Sequence, residues 1–175
     1  MGLSKIKQAL CFALPLTPFL FGYIWNYILA RLNFTIQNTT MVSLFMNILS
    51  PMIFIFWLWV GWQFSKIKMP AISAILIGNS IGILSLFVLI WQTFFIGSEQ
   101  MNMSLYIFFS NYFSLATLIT AKIIGLFIYL ILLFNIVPPT DSINIIRIVY
   151  IIALIFMVAV FVLGYFSGKR KKKEV

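Results

Sequence analysis

The stretch AISAILIGNSIGILSLFVLIWQTFFI, residues 71–96, decides the fold of this chain. It runs for 26 residues without a charged side chain, and one helical crossing of the hydrocarbon core of a bilayer needs about 20 apolar residues. Lipid offers no hydrogen-bond partner to the backbone, so a segment of this kind is stable there as an α-helix. The stretch therefore predicts a transmembrane helix.

The rest of the chain repeats this character in four further apolar blocks, at 9–30, 42–64, 105–136 and 143–166. Hydrophobic residues make up 63% of the chain and charged residues only 9%, whereas soluble domains carry about 25% charged residues. This composition excludes a water-soluble domain and a disordered chain. We predict an all-α, polytopic integral membrane helix bundle without a soluble domain. It has a single transmembrane domain over 1–168 and a basic tail over 169–175.

Basic residues predict how the bundle faces the membrane. The chain has 12 basic and three acidic residues, a net charge of +9, and short cytoplasmic connections of membrane proteins are enriched in Lys and Arg. The basic residues concentrate in three places: Lys5, Lys7, Lys66, Lys68, Lys169, Arg170, Lys171, Lys172 and Lys173. We expect these residues and both termini on the cytoplasmic side of a cell membrane, with the tail on anionic lipids and not on nucleic acid. The abundance of Ile, Phe, Lys and Asn suggests a bacterial chain.

The block 105–136 leaves the number of crossings open. Hydropathy counts five helices, but five crossings from a cytoplasmic amino terminus would place the basic tail outside. A turn at Lys122 and Gly125 would divide the block into two short helices and give six crossings. A re-entrant loop buried in protein would give four. A face of small and polar residues at helical spacing favours one unbroken helix instead, which would be about 48 Å long.

Two stripes of small residues predict where helices pack. Lipid supplies no hydrophobic drive between helices, so close packing depends on small side chains. One stripe lies in the block 71–96: Ala74, Gly78 and Gly82. The other lies in the block 105–136: Ser110, Ser114, Thr117, Ala121 and Gly125. We expect these two helices to pack together, with self-association as the alternative for the first stripe.

Lys122 and Arg147 are charged residues within apolar blocks. A charge at the bilayer centre costs at least about 2.5 kcal/mol, so each side chain must reach an interface, a cavity or a partner. Arg147 can reach the headgroups with its long stem. A buried Lys122 would need a lipid phosphate, an anionic ligand or an acid of another protein, so both are candidate anion or lipid contacts. Asn79 and Asn111 are candidates to line a pathway.

The chain lacks the side chains of most catalytic and metal sites. It has no His, one Cys and three acids, namely Glu99, Asp141 and Glu174, which excludes the usual protease, zinc and haem sites. We expect no enzymatic activity, no catalytic or metal-binding residue and no cofactor. The leading interpretation is an accessory, immunity-type or structural subunit that contacts a membrane-protein partner. The alternative is a transport component, either a substrate-binding subunit or a small channel for a small or anionic solute.

Overall fold

The computed structural model describes residues 12–35, 39–96, 100–133 and 142–171. Side chains within these ranges are described at 12–28, 30–31, 47–96, 100–126 and 145–170. Nearly all of these residues are helical, and four helices are long and apolar enough to cross a membrane. They are Asn47–Phe64, Ala71–Ile96, Met103–Leu126 and Ile145–Arg170. The prediction of an all-α fold with helices of membrane-spanning length is confirmed.

The described residues form five helical segments, three of which change geometry along their length. The first segment is α1, Thr17–Thr35, preceded by the 3₁₀ turn Leu14–Leu16, and the second is α2, Thr39–Phe64. The third is α3, Ala71–Trp91, which the π-helical turn Gln92–Ile96 extends. The fourth consists of α4, Met103–Ser110, the 3₁₀ turn Asn111–Phe113 and α5, Ser114–Leu133, and the fifth is α6, Ser142–Lys171. α1 contains the polar residues Asn26, Arg31 and Asn33.

The segment that corresponds to the block 105–136 has no turn at Lys122. Lys122 and Gly125 both lie within α5, so the six-crossing alternative with a hairpin at these residues is wrong. Lysine is a good helix former, and a single glycine costs a helix only about 1 kcal/mol, which is too little to reverse the chain. The irregularity lies at Asn111–Phe113, where the helix tightens to 3₁₀ geometry while the flanking residues keep a right-handed helical backbone.

The most extensive helix contact joins α2 and α6. A methyl group added to Gly61 would overlap the carbonyl oxygen of Phe161, and one added to Gly164 would overlap the carbonyl oxygen of Leu58. The two backbones therefore touch, which only residues without a side chain allow. The Trp57 and Phe161 rings, both fully buried, pack beside this contact with their centres 6.3 Å apart. The core of the bundle lies here.

Side-chain contacts give the relative directions of the helices. α2 and α6 run parallel, because Phe54 contacts Phe156 while Ser65, after the end of α2, contacts Gly168 near the end of α6. α1 and α3 run in the opposite direction. The contacts that show this are Phe12 with Phe64 and Phe21 with Phe56 for α1 on α2, and Gly78 with Phe161 and Thr93 with Arg147 for α3 on α6. The end of α3 and the start of α6 thus lie at one end of the bundle.

The segment formed by α4 and α5 begins at that same end, since it follows α3 in the chain. At its 3₁₀ turn, Tyr112 contacts Trp57 near the middle of α2. Three residues later, the carbonyl oxygen of Leu115 accepts a hydrogen bond of 2.8 Å from the hydroxyl of Ser50. Ser50 lies about 10 Å from Trp57 toward the amino-terminal end of α2. Beyond its 3₁₀ turn, the segment therefore contacts α2 nearer to the end of the bundle at which α4 begins.

The close approach of α2 and α6 predicts the effect of a larger residue at Gly61. Gly61→Leu forces the helix backbones apart, so we expect the free energy of unfolding to fall by at least about 1–3 kcal/mol. An unfolding titration of the detergent-solubilised protein, followed by tryptophan fluorescence, measures this change. Gly125→Leu is the matched control, because nothing lies within 4 Å of a methyl group added at Gly125. Equal losses in the two variants would contradict the contact.

Candidate functional site

Asn79 of α3 is a buried polar residue at the centre of the bundle. It is 1% exposed, and its amide oxygen accepts a hydrogen bond of 3.1 Å from the indole nitrogen of Trp57. Its amide nitrogen donates to the carbonyl oxygen of Ile75, one turn earlier in the same helix. Both ends of the amide thus have partners within the protein. In this structure Asn79 joins α3 to α2.

Asn111, the second candidate for a pathway, lies at the 3₁₀ turn and faces α1. The amide nitrogen of Asn26 donates to the amide oxygen of Asn111. α1 approaches so closely here that a methyl group added to Gly22 would overlap the carbonyl oxygen of Asn111. Asn111 is buried, whereas Asn26 is exposed on the outer surface of α1. The two asparagines predicted to line a pathway therefore have different partners and join different helices.

Two buried hydroxyl oxygens beside the contact of α1 with the 3₁₀ turn have no hydrogen-bond partner within the described part of the chain. They belong to Tyr112 and Ser114. The Tyr112 hydroxyl lies against Gly82 of α3, and the Ser114 hydroxyl lies against Gly22 of α1. A buried polar group without a partner costs about 1–3 kcal/mol. A polar group that reached either hydroxyl would therefore bind favourably.

Arg147 of α6 is held by the π-helical turn at the end of α3. Such turns interrupt the regular hydrogen bonds of a helix, and Arg147 donates to the carbonyl oxygen of Thr93 and, over 3.2 Å, to its hydroxyl. Its guanidinium carbon also lies 3.7 Å from the centre of the Phe94 ring. The pocket beside Arg147 has room for about one water molecule. Arg147 thus links α6 to the end of α3.

Lys122 lies on an exposed face of α5. Its neighbours Ala121 and Leu126 are also exposed, and nothing lies within 4 Å of a methyl group added to Gly125. Lys122 makes no hydrogen bond, ion pair or ring contact with any other described residue. We call Ala121, Lys122, Gly125 and Leu126 the open face of α5.

The two small-residue stripes lie on different surfaces. The first is buried: Gly78 contacts Phe161, Gly82 contacts Tyr112 and Leu154, and Ala74 is fully enclosed. The second is half-buried at Ser110, Ser114 and Thr117 and exposed at Ala121 and Gly125. α3 packs on α6, on α4 and on the 3₁₀ turn that follows α4. The blocks 71–96 and 105–136 therefore meet where Gly82 contacts Tyr112. The later part of the second stripe, Ala121 and Gly125, stays exposed.

Comparison with known proteins gives no match: neither a family model, nor a curated protein, nor a solved structure is similar to this chain. The function must therefore be argued from the geometry of the chain itself.

The sequence analysis did not identify Gly22 and Gly61, which make two of the closest helix contacts. For Gly61 a signal was present, since Gly61 and Ser65 are four residues apart and face Gly164 and Gly168, which have the same spacing. Such paired small residues are typical of membrane helix contacts. For Gly22 no such signal exists, because its partner is the backbone of a 3₁₀ turn that has no sequence pattern of its own.

The hydrogen bond between Asn79 and Trp57 predicts a measurable loss of stability in Asn79→Leu. Hydrogen bonds between helices in membrane proteins contribute about 0.6 kcal/mol on average and up to about 1.7 kcal/mol, so we expect the free energy of unfolding to fall within this range. Unfolding titrations compare it with Ser80→Ala, whose exposed hydroxyl bonds only to the carbonyl oxygen of Ile77 in its own helix. Indistinguishable curves for the two variants would show that the Asn79 bond adds no stability.

Proposed function

We propose that this chain is a non-enzymatic integral membrane protein that acts by binding another membrane protein, as an accessory, immunity-type or structural subunit. The observation that carries this proposal is the open face of α5, a surface with the small residues of a helix contact on which no other helix of the described chain packs. The charge of Lys122 and the close contacts made at the other described glycines support this interpretation.

Gly125 differs from the other glycines of the described chain. At each of the others, an added methyl group would come within 3.0 Å of a neighbouring atom: Gly22, Gly61, Gly78, Gly82, Gly164 and Gly168. At Gly125 no atom of the described residues lies within 4 Å of such a group. Small residues in membrane helices allow another helix to approach. Gly125, one turn after the exposed Ala121, therefore offers this approach to a helix from another protein.

Lys122 specifies the chemistry of that partner. An ammonium group on an apolar helix is costly in lipid unless an anion lies close to it, and within the described residues Lys122 has no partner. A membrane helix that carries Asp or Glu would neutralise Lys122 while its backbone packs against Gly125. We therefore propose a partner helix with a carboxylate at the level of Lys122.

We further propose a topology of four crossings, through α1, α2, α3 and α6, in the plasma membrane of a bacterium with both termini in the cytoplasm. The alternating directions of these helices support this topology. The 65–70 turn and the carboxyl-terminal turns of α6, both rich in basic residues, also lie side by side. Hydropathy alone would count Met103–Leu126 among the crossings. The contact of Leu115 with Ser50 favours instead a segment that enters and leaves on the outer side.

Single-cysteine labelling tests this topology in a Cys11→Ser background. We expect Asn102→Cys and Ser142→Cys to react with a membrane-impermeant maleimide added to intact cells. Lys68→Cys should react only after the membrane is permeabilised. The decisive position is Ser142, because a single crossing by α4 and α5 would place it in the cytoplasm. Labelling of Ser142→Cys only after permeabilisation would contradict the four-crossing topology.

Substitutions on the open face test the partner-binding proposal. Lys122→Gln removes a charged contact worth about 1.5–3 kcal/mol, and Gly125→Leu blocks the approach of a helix, so each should weaken the complex by at least about tenfold. Quantitative mass spectrometry of proteins cross-linked and co-purified from the native host measures this loss. The control is Leu84→Ala, which shortens a side chain that is 55% exposed on α3 and should leave the complex intact.

Capture of a protein supports the proposal only if its carboxylate meets Lys122. Exchange of the charges, with Lys122→Glu in this chain and Lys in place of the partner's acid, should restore the complex that either change alone disrupts. A complex unaffected by both open-face variants would exclude this face as the binding surface.

A transport component is the second candidate, and the buried hydroxyls of Tyr112 and Ser114 favour it. Under this hypothesis a polar solute group would bind at the 3₁₀ turn, and the double variant Tyr112→Phe with Ser114→Ala should abolish solute uptake. Under the partner hypothesis the same variant should leave the complex intact. The two sets of variants, assayed for uptake and for complex formation, therefore separate the two functions.

A further inference from the structure

Two basic segments that are far apart in the sequence lie together at one end of the bundle. Gly168 of α6 packs against the Ser65 hydroxyl and the Trp62 ring. The Tyr165 hydroxyl lies 3.5 Å from the carbonyl oxygen of Met69. These contacts bring the turn after α2 beside the last turns of α6. The basic residues of the two segments are Lys66 and Lys68 in the first and Lys169 and Arg170 in the second, and we call these four residues the basic end.

Aromatic rings set the depth of the basic end relative to a membrane. The Lys66 ammonium lies 3.5 Å from the centre of the Trp62 ring and 3.0 Å from the amide oxygen of Gln63. The Lys169 ammonium lies 5.5 Å from the centre of the Tyr165 ring. Trp and Tyr are enriched at the level of the lipid headgroups. The cations beside these rings therefore lie at the level of the lipid phosphates.

No described carboxylate neutralises the basic end. All three acids of the chain, Glu99, Asp141 and Glu174, lie outside the residues that the structure describes. Four cations held at one surface repel one another unless anions collect there. At the cytoplasmic leaflet of a membrane, anionic lipids attract clustered Lys and Arg.

We propose that the basic end is a binding site for the phosphate group of an anionic phospholipid, built jointly by the 65–70 turn and the end of α6. A phosphate held by cations from both segments would link them where Gly168 meets Ser65. This inference is independent of the proposed partner and of the open face of α5, because it concerns other residues at another part of the bundle.

Native mass spectrometry tests this site with purified protein in mixed micelles that contain equal amounts of phosphatidylglycerol and phosphatidylcholine. The variants are Lys66→Gln with Lys68→Gln, Lys169→Gln with Arg170→Gln, and all four changes together. Lys171, Lys172 and Lys173 remain in every variant, so the general attraction of the tail for anionic lipid stays the same. Arg31→Gln is the control that removes one positive charge elsewhere, on α1.

We expect the unaltered protein to retain one tightly bound phosphatidylglycerol. Each double variant should lose it, with an affinity lowered about 30-fold, since each basic residue near anionic lipid contributes roughly a factor of five. The variant with all four changes should lose no further tightly bound lipid. The Arg31→Gln control should retain the lipid, and unchanged unfolding curves should show that all variants are folded.

Three outcomes would overturn the proposal. Retention of the lipid by either double variant would show that one segment binds it alone, and equal retention of phosphatidylcholine would show that the phosphatidylglycerol headgroup is not recognised. Displacement of the lipid by excess inorganic phosphate would show a site for the free anion and not for a lipid.

Discussion

The close approach of α2 and α6, at Gly61 against Phe161 and at Gly164 against Leu58, is the constraint on which the rest of the bundle depends. In lipid, helices gain little from burying apolar side chains, so the close approach of two backbones and the dispersion contacts that it allows must hold them. Here the two glycines place each helix against carbonyl oxygens of the other. The buried rings of Trp57 and Phe161 then pack beside the contact, and Gly78 of α3 receives Phe161 from the other side.

The parallel arrangement of α2 and α6 restricts what lies between them in the chain. α3 runs opposite to both, so it ends where α6 begins, and α4 and α5 connect two points at the same end of the bundle. A segment of this kind either returns or lies across the bundle, although its apolar composition resembles that of a crossing helix. The distribution of Lys and Arg also predicts an even number of crossings. Charge and helix direction, which depend on different residues, thus support the same proposed topology.

The sequence predicted the helices well because the cost of an unpaired backbone in lipid makes almost any long apolar block helical. It predicted the contacts between helices less well. A stripe of small residues shows that some helix can approach, but not which one: Gly78 meets a phenylalanine of α6, and Gly125 meets no other described residue. The 3₁₀ turn at Asn111–Phe113 was equally hidden, because its geometry accompanies a tertiary contact with Gly22 and no local residue requires it. Lys122 suggested a turn because of its charge, yet a charge has little effect on helix geometry.

The positions of the cations favour a function that depends on contacts at the surface of the bundle. Arg147 is held by the π-helical turn and the Phe94 ring, so its charge is used within the fold. Lys122 and the basic end have no described carboxylate beside them. Aromatic rings pack where α2 meets α6, and the pocket beside Arg147 has room for about one water. Surface cations without a described carboxylate beside them would gain most from anions outside the chain. The lipid phosphate proposed at the basic end and the carboxylate proposed at Lys122 are two such contacts, made by separate surfaces.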